Sequence, residues 1–301
     1  MQVHLLDGTY ELFRHYAVVP EHRVGGRDVG AARAVCRSVF GLLEDGVSHI
    51  GVATDHVIES FRNTMWPGYK TGAGVPERLA AQFAPLEESL VALGVVVWPA
   101  VEVEADDALA SAAAAASRDP SVERVVIMSP DKDLAQCVDG GRVVTCDRRT
   151  GMIRDAAGVV ERFGVPPASI PDLLALVGDA ADGFPGLPGW GAKSAAAVLA
   201  RHGAIERIPA DPAEWDVSVR GATRLARNLA EGRETALLFK RLATLRTDVP
   251  VLPDGVEGLR WRGPADAAAD AMVAIDAPEL LGRAARLMTG GPPGGAVATR
   301  P

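Results

Sequence analysis

Short apolar runs rich in β-branched residues alternate with amphipathic stretches over the first half of the chain. The apolar runs predict five buried strands, at residues 3–6, 49–54, 95–98, 125–128 and 143–146. Apolar residues at helical spacing predict helices between them, at residues 29–45, 79–93 and 106–117. Because strands that alternate with helices form parallel sheets covered on both faces, we expect an α/β fold with a mainly parallel sheet.

The second half of the chain has a helical pattern instead. Helices are predicted at residues 156–163, 167–177, 191–202 and 218–246. A glycine- and proline-rich hairpin at residues 183–191 interrupts them. The glycines and prolines from residue 289 onward are typical of a disordered end. We therefore divide the chain into a core (1–154), a helical part (155–288) and a tail (289–301).

Acidic residues concentrate where the predicted strands and helices begin or end. They are Asp7, Asp55, Glu104, Asp106, Asp107, Asp131, Asp133, Asp179 and Asp182. Because ligands bind at the carboxyl edge of parallel sheets, we expect most of these side chains to meet in one cleft there. Carboxylates at that density repel each other unless divalent cations lie between them, and Mg²⁺ prefers such oxygen ligands.

The alternative explanation of these acids is local. An acid at a helix N-terminus accepts hydrogen bonds from free backbone N–H groups, and aspartates favour turns. Capping accounts for one acid at each position but not for three within four residues, as at 104–107. The pairs and strand-end aspartates taken together favour a metal site.

A second motif is the glycine-rich hairpin that leads into a predicted helix. Its candidate phosphate-binding residues are Gly186, Gly189, Gly191, Lys193 and Ser194. Glycines bring backbone N–H groups close to a phosphate, and a helix N-terminus adds a partial positive charge. An ordinary helical hairpin is the alternative.

Basic and aromatic residues lie together in two further places. They are Phe61-Arg62 with Tyr69-Lys70 in an irregular segment at 58–76, and Arg14 with Tyr10 and Tyr16 after the first strand. Such side chains steer a nucleic-acid strand and stack on its bases. Surface ion pairs and partly buried aromatic rings explain the same residues equally well.

Composition narrows the class of protein. The 301 residues are 48% hydrophobic, without an apolar stretch of the ~18 residues that a membrane span needs. Three cysteines without metal-ligand spacing and the lack of a signal peptide predict a cytoplasmic protein. The nine acids above carry more negative charge than the whole net charge of −8, so a metal-bound site would leave a surface able to approach nucleic acid.

With these residues in hand, the chain resembles the 5′-nuclease family over roughly residues 1–250. The family includes the 5′–3′ exonuclease domain of bacterial DNA polymerase I and flap endonucleases. The matching motifs are Leu6-Asp7-Gly8, Phe61-Arg62, Tyr69-Lys70, Glu104-Ala-Asp106-Asp107, Asp131-Lys-Asp133, Asp179-Ala-Ala-Asp182 and the hairpin to Lys193.

The resemblance implies a PIN-like core, a helical arch at about 58–90 and a helix-three-turn-helix element at about 183–203. It implies that all nine carboxylates bind two Mg²⁺ or Mn²⁺ ions, with K⁺ at the helix-three-turn-helix element. Arg14, Arg62 and Lys70 match basic residues near the scissile phosphate, and the hairpin, Tyr10 and Tyr69 are expected DNA contacts. The implied partner of this monomer is DNA with 5′ ends, flaps or nicks, or an RNA primer on DNA.

The chain departs from the family after Lys70, where it reads Thr-Gly-Ala-Gly-Val instead of further basic residues. This departure keeps a second hypothesis open, a DNA-structure-binding protein with weak cleavage. A third, a haloacid-dehalogenase-type phosphatase, rests on Asp7-Gly8-Thr9, but that class needs an aspartate where Thr9 stands.

Overall fold

The computed structural model describes residues 1–289 of the chain. Its strands are β1 (Gln2–Asp7), β2 (Arg23–Val24), β3 (Arg27–Asp28), β4 (His49–Asp55), β5 (Val96–Ala100), β6 (Arg124–Met128), β7 (Val143–Asp147) and β8 (Met152–Arg154). Six of them form one sheet in the order β5-β4-β1-β6-β7-β8. All neighbours pair in parallel except β7 and β8. The predicted mainly parallel sheet is therefore confirmed, while β2, β3 and β8 were not predicted.

The helices cover both faces of this sheet and continue beyond it. They are α1 (Gly8–Val18), α2 (Gly30–Glu44), α3 (Arg62–Met65), α4 (Glu77–Ala80), α5 (Phe83–Ala92), α6 (Ala105–Ala116), α7 (Ala156–Phe163), α8 (Ile170–Val177), α9 (Ala192–His202), α10 (Ala222–Glu231), α11 (Arg233–Ala243), α12 (Ala268–Ala274) and α13 (Glu279–Met288). Short 3₁₀ turns lie at Asp133–Cys137, Pro167–Ser169, Ile205–Arg207, Pro212–Trp215 and Val256–Leu259.

Two predicted long helices are each divided in the structure. The helix predicted at 79–93 breaks before α5, where the buried Gln82 side chain accepts hydrogen bonds from the N–H groups of Ala31 (2.9 Å) and Ala32 (3.1 Å). Gln82 thus satisfies free donors at the start of α2. The helix predicted at 218–246 breaks at Gly232, between α10 and α11.

The two faces of the sheet are covered by different helices. On one face, Leu6 and Val126 pack with apolar residues of α1, α2 and α5. On the other face, Leu5 and Val125 pack against the alanine-rich helix α6. Since side chains alternate along a strand, this division fixes which residues reach each layer.

A separate apolar core belongs to the helical part. It is built by α7 to α11 around Phe184, Trp215 and Phe239. The sequence assigned residues 155–288 to this part, but the segment from Leu245 onward returns to the sheet. Leu259 packs with the α6 face and Met272 with the α2 face. Amphipathicity alone did not indicate which core these late helices join.

Within residues 1–289, no helix combines the length and the apolar character that crossing a bilayer requires. The tail predicted to be disordered, 289–301, lies outside the described residues except for Thr289.

Candidate metal centre and nucleic-acid interface

Three of the predicted acids lie at the carboxyl ends of neighbouring strands. Asp7 ends β1, Asp55 ends β4, and Asp131 follows β6, the strand on the other side of β1. Asp106 joins them from the first turn of α6. We call Asp7, Asp55, Asp106 and Asp131 the first acidic group.

Asp7 lies at the centre of this edge. Its carboxylate accepts hydrogen bonds from Tyr10 N–H (2.8 Å) and Ser129 Oγ (2.8 Å). Burial raises the pKa of Asp7 to about 7 against these hydrogen bonds, and the charges of Asp55 and Asp131 act in the same direction as burial. Ionisation of Asp7 at the carboxyl edge of the sheet is therefore unfavourable.

Two other members of the group, Asp106 and Asp55, are affected in the same way. Burial raises the pKa of Asp106 well above its usual value, and the charges of Asp131 and Asp7 raise it further. Burial also raises the pKa of Asp55, although its carboxylate accepts a hydrogen bond from Ala105 N–H (2.7 Å). A cation among these oxygens would relieve their mutual repulsion.

Asp133, Asp179 and Asp182 form the second acidic group. Each offers a carboxylate oxygen, and the three oxygens lie within 4.8 Å of one another. Burial raises the pKa of Asp133 well above its usual value, followed by the charges of Asp131 and Asp182. Asp133 Oδ1 is buried and accepts no hydrogen bond from the described residues. An unsatisfied buried oxygen among carboxylates suits a hard divalent cation, so the donor set fits the expected metal.

Glu104 and Lys70 link the two groups. Lys70 Nζ lies 2.7 Å from Glu104 Oε2 and 3.0 Å from Asp182 Oδ1. Burial opposes ionisation of Glu104, but Lys70 and Arg62 outweigh it and lower the pKa of Glu104. The Lys70 side chain is 29% exposed, and its ammonium group is positioned at the acids.

Lys132 is a cation of the site that the sequence reasoning did not single out. Its Nζ lies 2.5 Å from Asp179 Oδ2 and 3.9 Å from Asp133 Oδ1. Its position between Asp131 and Asp133 in the chain was the available signal.

Arg62 and Asp107 are not brought into the open cleft. The guanidinium donates to both oxygens of Asp107 at 2.7 Å, and to the carbonyls of Leu242 and Thr244. Both side chains are at most 1% exposed. Asp107 also accepts from the N–H groups of Glu104 and Arg246. These partners occupy both groups in this structure, and the metal role of Asp107 and the phosphate role of Arg62 stay predictions.

Tyr69 also differs from the expectation. Its ring is 3% exposed and belongs to the helical core, and its hydroxyl lies 3.3 Å from oxygens of Glu104 and Asp182. A ring in this buried position packs in the core and is not available to stack on a base, so the DNA contact at Tyr69 stays a prediction.

Tyr10 and Arg14 lie on α1, directly after Asp7. Tyr10 is partly exposed in the first turn, and Arg14 is 28% exposed one turn later. Arg14 Nη2 donates to the buried Glu11 carboxylate at 2.5 Å. Both side chains are on the same helix as the central acid and are accessible.

Glycine is required by the backbone at the start of the hairpin. Gly186 has φ +69°, and a Cβ there would lie 2.4 Å from Gly178 N and 2.6 Å from Leu176 O. These are backbone atoms, which cannot move aside without distorting the hairpin. The turn is therefore locked against the end of α8, directly beside Asp179 and Asp182.

The outer part of the hairpin is open to solvent. Gly189, Gly191, Lys193 and Ser194 line a concave surface of about 520 Å³, together with Ser218 to Arg220 from a second turn. Gly191 and Lys193 are exposed, and the hydroxyl of Ser194 caps the start of α9 through Gly191. Arg220 was missed, because the turn before α10 carries no motif beyond Gly221.

Comparison with known proteins gives consistent matches over both parts. Residues 2–164 match the family described as 5′-3′ exonuclease, N-terminal resolvase-like domain, and residues 165–267 match 5′-3′ exonuclease, C-terminal SAM fold. DNA polymerase I of Pseudomonas aeruginosa is 36% identical over 259 residues, which are 81% of this chain and 27% of the polymerase. The chain thus spans about a quarter of the length of that relative. A 5′-3′ exonuclease of Buchnera aphidicola is 27% identical over 82% of this chain and 87% of its own length.

Solved structures share the fold at low sequence identity. T5 5′-exonuclease with bound zinc ions has a TM-score of 0.66 at 18% identity, covering 96% of this chain and 99% of its own. The catalytic core of Rad2 in complex with DNA substrate has a TM-score of 0.62 at 14% identity, covering 95% and 92%. These likenesses support the PIN-like sheet followed by a helical domain. Because both family regions match in sequence and in order, the chain belongs to the 5′-3′ exonuclease family.

Proposed function

We propose that this chain is a divalent-metal-dependent 5′-nuclease, which hydrolyses DNA phosphodiester bonds as a 5′–3′ exonuclease, a 5′-flap endonuclease or both. The observation that carries the proposal is the convergence of two acidic groups beside a glycine-rich hairpin. An acidic cleft alone repels DNA, and a phosphate-binding hairpin alone does not cleave it. Their adjacency suits a polyanionic substrate that is cut with the help of metal ions.

The residues divide into two ligand sets. Asp7, Glu104, Asp106 and Asp131 would hold one Mg²⁺ or Mn²⁺ ion, and Asp133, Asp179 and Asp182 the second, with Asp55 supporting the first set. Bound there, the two ions would supply an activated water and neutralise charge on the leaving oxygen. Lys70 offsets negative charge at the scissile phosphate from its position between Glu104 and Asp182.

The hairpin would hold the duplex part of the substrate. The backbone N–H of Gly189 and the ammonium of Lys193 suit the phosphates of one strand, and the same turn suits a K⁺ ion. The expected substrates are DNA with a 5′ end, a flap or a nick, or an RNA primer on DNA, cut by a monomer. Related proteins support this assignment: one is named a 5′-3′ exonuclease, another binds zinc, and the Rad2 core binds DNA substrate.

The decisive experiment compares wild type with Asp131→Asn and Asp179→Asn, one variant from each acidic group. Cleavage of a 5′-labelled flap in Mg²⁺ is expected for wild type and to fall by at least ~100-fold in each variant. Arg124→Gln, at the opposite edge of the sheet, serves as the control and should cut normally. Full activity in both Asn variants would refute the assignment.

A DNA-structure-binding protein with weak cleavage is the second candidate. It is favoured by the segment after Lys70, which carries no basic residue until Arg78. Single-turnover cleavage separates the two: binding without Mg²⁺-dependent product formation would favour this candidate. The phosphatase hypothesis is not favoured, because that class needs a second carboxylate at the position of Thr9. The Thr9 hydroxyl instead accepts a hydrogen bond from Asp55 N–H (2.7 Å).

A further inference from the structure

A group of arginines lies beside the first acidic group on the same edge of the sheet. Strand β7 is the neighbour of β6, and its carboxyl end leads directly into Arg148 and Arg149. Arg14 approaches the same place from α1. We call Arg14, Arg148 and Arg149 the arginine cluster.

The arginine cluster carries more positive charge than its buried partner neutralises. Arg148 Nη1 lies 3.1 Å from Glu11 Oε2, and Arg14 Nη2 lies 2.5 Å from the same oxygen. His15 Nε2 is 3.5 Å from that oxygen as well. Glu11 is 0% exposed and is the one carboxylate that the described residues offer to both guanidinium groups.

The hydrogen bonding of the arginine cluster is also incomplete. Arg14 Nε is buried and makes no hydrogen bond with the described residues, and Arg148 Nη1 has only the ion pair with Glu11 Oε2. Glu11 Oε1, a buried acceptor in the same place, also has no hydrogen-bond partner among the described residues. Arg148 is held in place by its Nη2, which donates to Ser38 Oγ at 2.9 Å. Burial lowers the pKa of Arg148, and the charge of Arg14 lowers it further, which reflects two cations in close proximity. Neighbouring guanidinium groups that share one carboxylate suit a second anion.

Arg149 is the exposed residue of the arginine cluster. Asp147, the acid before it, is 8% exposed, and its carboxylate accepts the Arg149 N–H at 2.9 Å. Arg149 itself is exposed, and its side chain makes no hydrogen bond with residues 1–289. The nearby acid therefore shapes the turn, while the guanidinium of Arg149 is available to a ligand.

We propose that the arginine cluster binds an internal backbone phosphate of the cleaved DNA strand, next to the scissile one, on the β7 side of the first acidic group. This inference rests on the proposed nuclease function and extends it. Guanidinium groups bind phosphate oxygens in pairs, which makes them suited to fixing the path of a strand. A strand so held is positioned without any base being read.

The test is a single-turnover titration of a 5′-flap substrate in Mg²⁺ with wild type, Arg149→Gln and the Arg148→Gln/Arg149→Gln double variant. The enzyme concentration at half-maximal rate is expected to rise ~10-fold in the double variant, with the maximal rate within about threefold of wild type. The salt dependence of binding should become shallower by about one unit of slope per lost phosphate contact.

Glu11→Gln should change the half-saturating enzyme concentration in the opposite direction. Removing this carboxylate leaves the arginine cluster more positive, so the half-saturating concentration should fall. If Arg148 and Glu11 served only to support α1, both substitutions would weaken binding instead. Arg149→Gln alone keeps the test valid if the buried variants unfold, since its side chain is exposed. Arg124→Gln removes the same charge at the opposite edge and should change nothing.

The outcomes separate this inference from the proposed function. If wild type does not cleave, the nuclease assignment itself fails. If wild type cleaves but the arginine variants keep its half-saturating concentration and salt slope, this inference alone is wrong. A loss confined to substrates with a 5′-phosphate, and absent with a 5′-hydroxyl, would contradict an internal phosphate and indicate the strand end.

Discussion

At the scale of single residues, the two basic residues Arg62 and Lys70 of the segment 58–76 have different environments. Arg62 is 1% exposed and bound to Asp107, whereas Lys70 is 29% exposed and lies between Glu104 and Asp182. The sequence indicated both as basic residues near acids. It could not distinguish them, because the carbonyls that hold Arg62 belong to Leu242 and Thr244, far along the chain.

Arg62→Gln should therefore act on stability first. Removing one partner of a buried ion pair leaves Asp107 uncompensated, and we expect the free energy of unfolding to fall by ~3–5 kcal/mol. Urea denaturation measures the change, with Arg124→Gln as the exposed control at ~0.5 kcal/mol or less. Unchanged stability with lost cleavage would indicate a direct role of Arg62 at the phosphate.

Tyr69 allows a similar separation. Tyr69→Phe keeps the buried ring and loses only a long contact to Glu104 and Asp182, so folding and DNA affinity should remain near wild type. Tyr69→Ala removes the ring from the helical core and should cost ~3–5 kcal/mol of unfolding free energy. Thermal melting together with DNA-binding titration tests both variants. Weaker DNA binding by a stable Tyr69→Ala protein would instead indicate stacking on a base.

At the scale of elements, the sequence predicted the strands of the parallel sheet and the existence of most helices. A buried strand has an unbroken run of apolar residues, so it can be predicted from its own sequence without knowing which strands lie beside it. The breaks before α5 and at Gly232 were not predicted. The first depends on Gln82 reaching the start of α2, a long-range contact that no local pattern records. Strand β8 was missed because Met152 and Ile153 are about half exposed and do not follow a core pattern.

The hairpin gives a prediction at this scale. Gly186→Ala places a Cβ against the backbone of Gly178 and Leu176 at a positive φ, so the unfolding free energy should fall by more than ~1 kcal/mol. Because this turn adjoins Asp179 and Asp182, Mg²⁺-dependent cleavage should fall too. Gly141→Ala is the matched control, since its Cβ would meet nothing within 4 Å. Equal stabilities of the two variants would show that the hairpin tolerates the displacement.

At the scale of the whole molecule, the buried acids predict a stability that depends on pH and on divalent metal together. The folded-state pKa of Asp7 is about 7 against an ordinary value of 3.8. A raised pKa means that the contribution of Asp7 to the stability of the metal-free protein is fully present below about pH 4 and is lost as the pH rises through about 7. Asp106 and Asp133 shift in the same direction.

The expected result is a metal-free Tm that falls between pH 5.5 and pH 8, with a larger increase from Mg²⁺ at pH 8. Differential scanning fluorimetry in EDTA and in Mg²⁺ measures both. Asp7→Asn, which cannot ionise at this position, should flatten the profile of the metal-free protein. A metal-free Tm that rises over this range would contradict the raised pKa values described for the acids.

The second acidic group has a consequence for how the protein is put together. Asp133 belongs to the first matched family region, residues 2–164, while Asp179 and Asp182 belong to the second, residues 165–267. A chain severed between these regions would carry an acidic half-site on each fragment, and neither fragment would hold the full set of oxygens. The proposed nuclease activity would then require the two regions to remain in contact, and any event that separates them would abolish cleavage while every side chain stays intact.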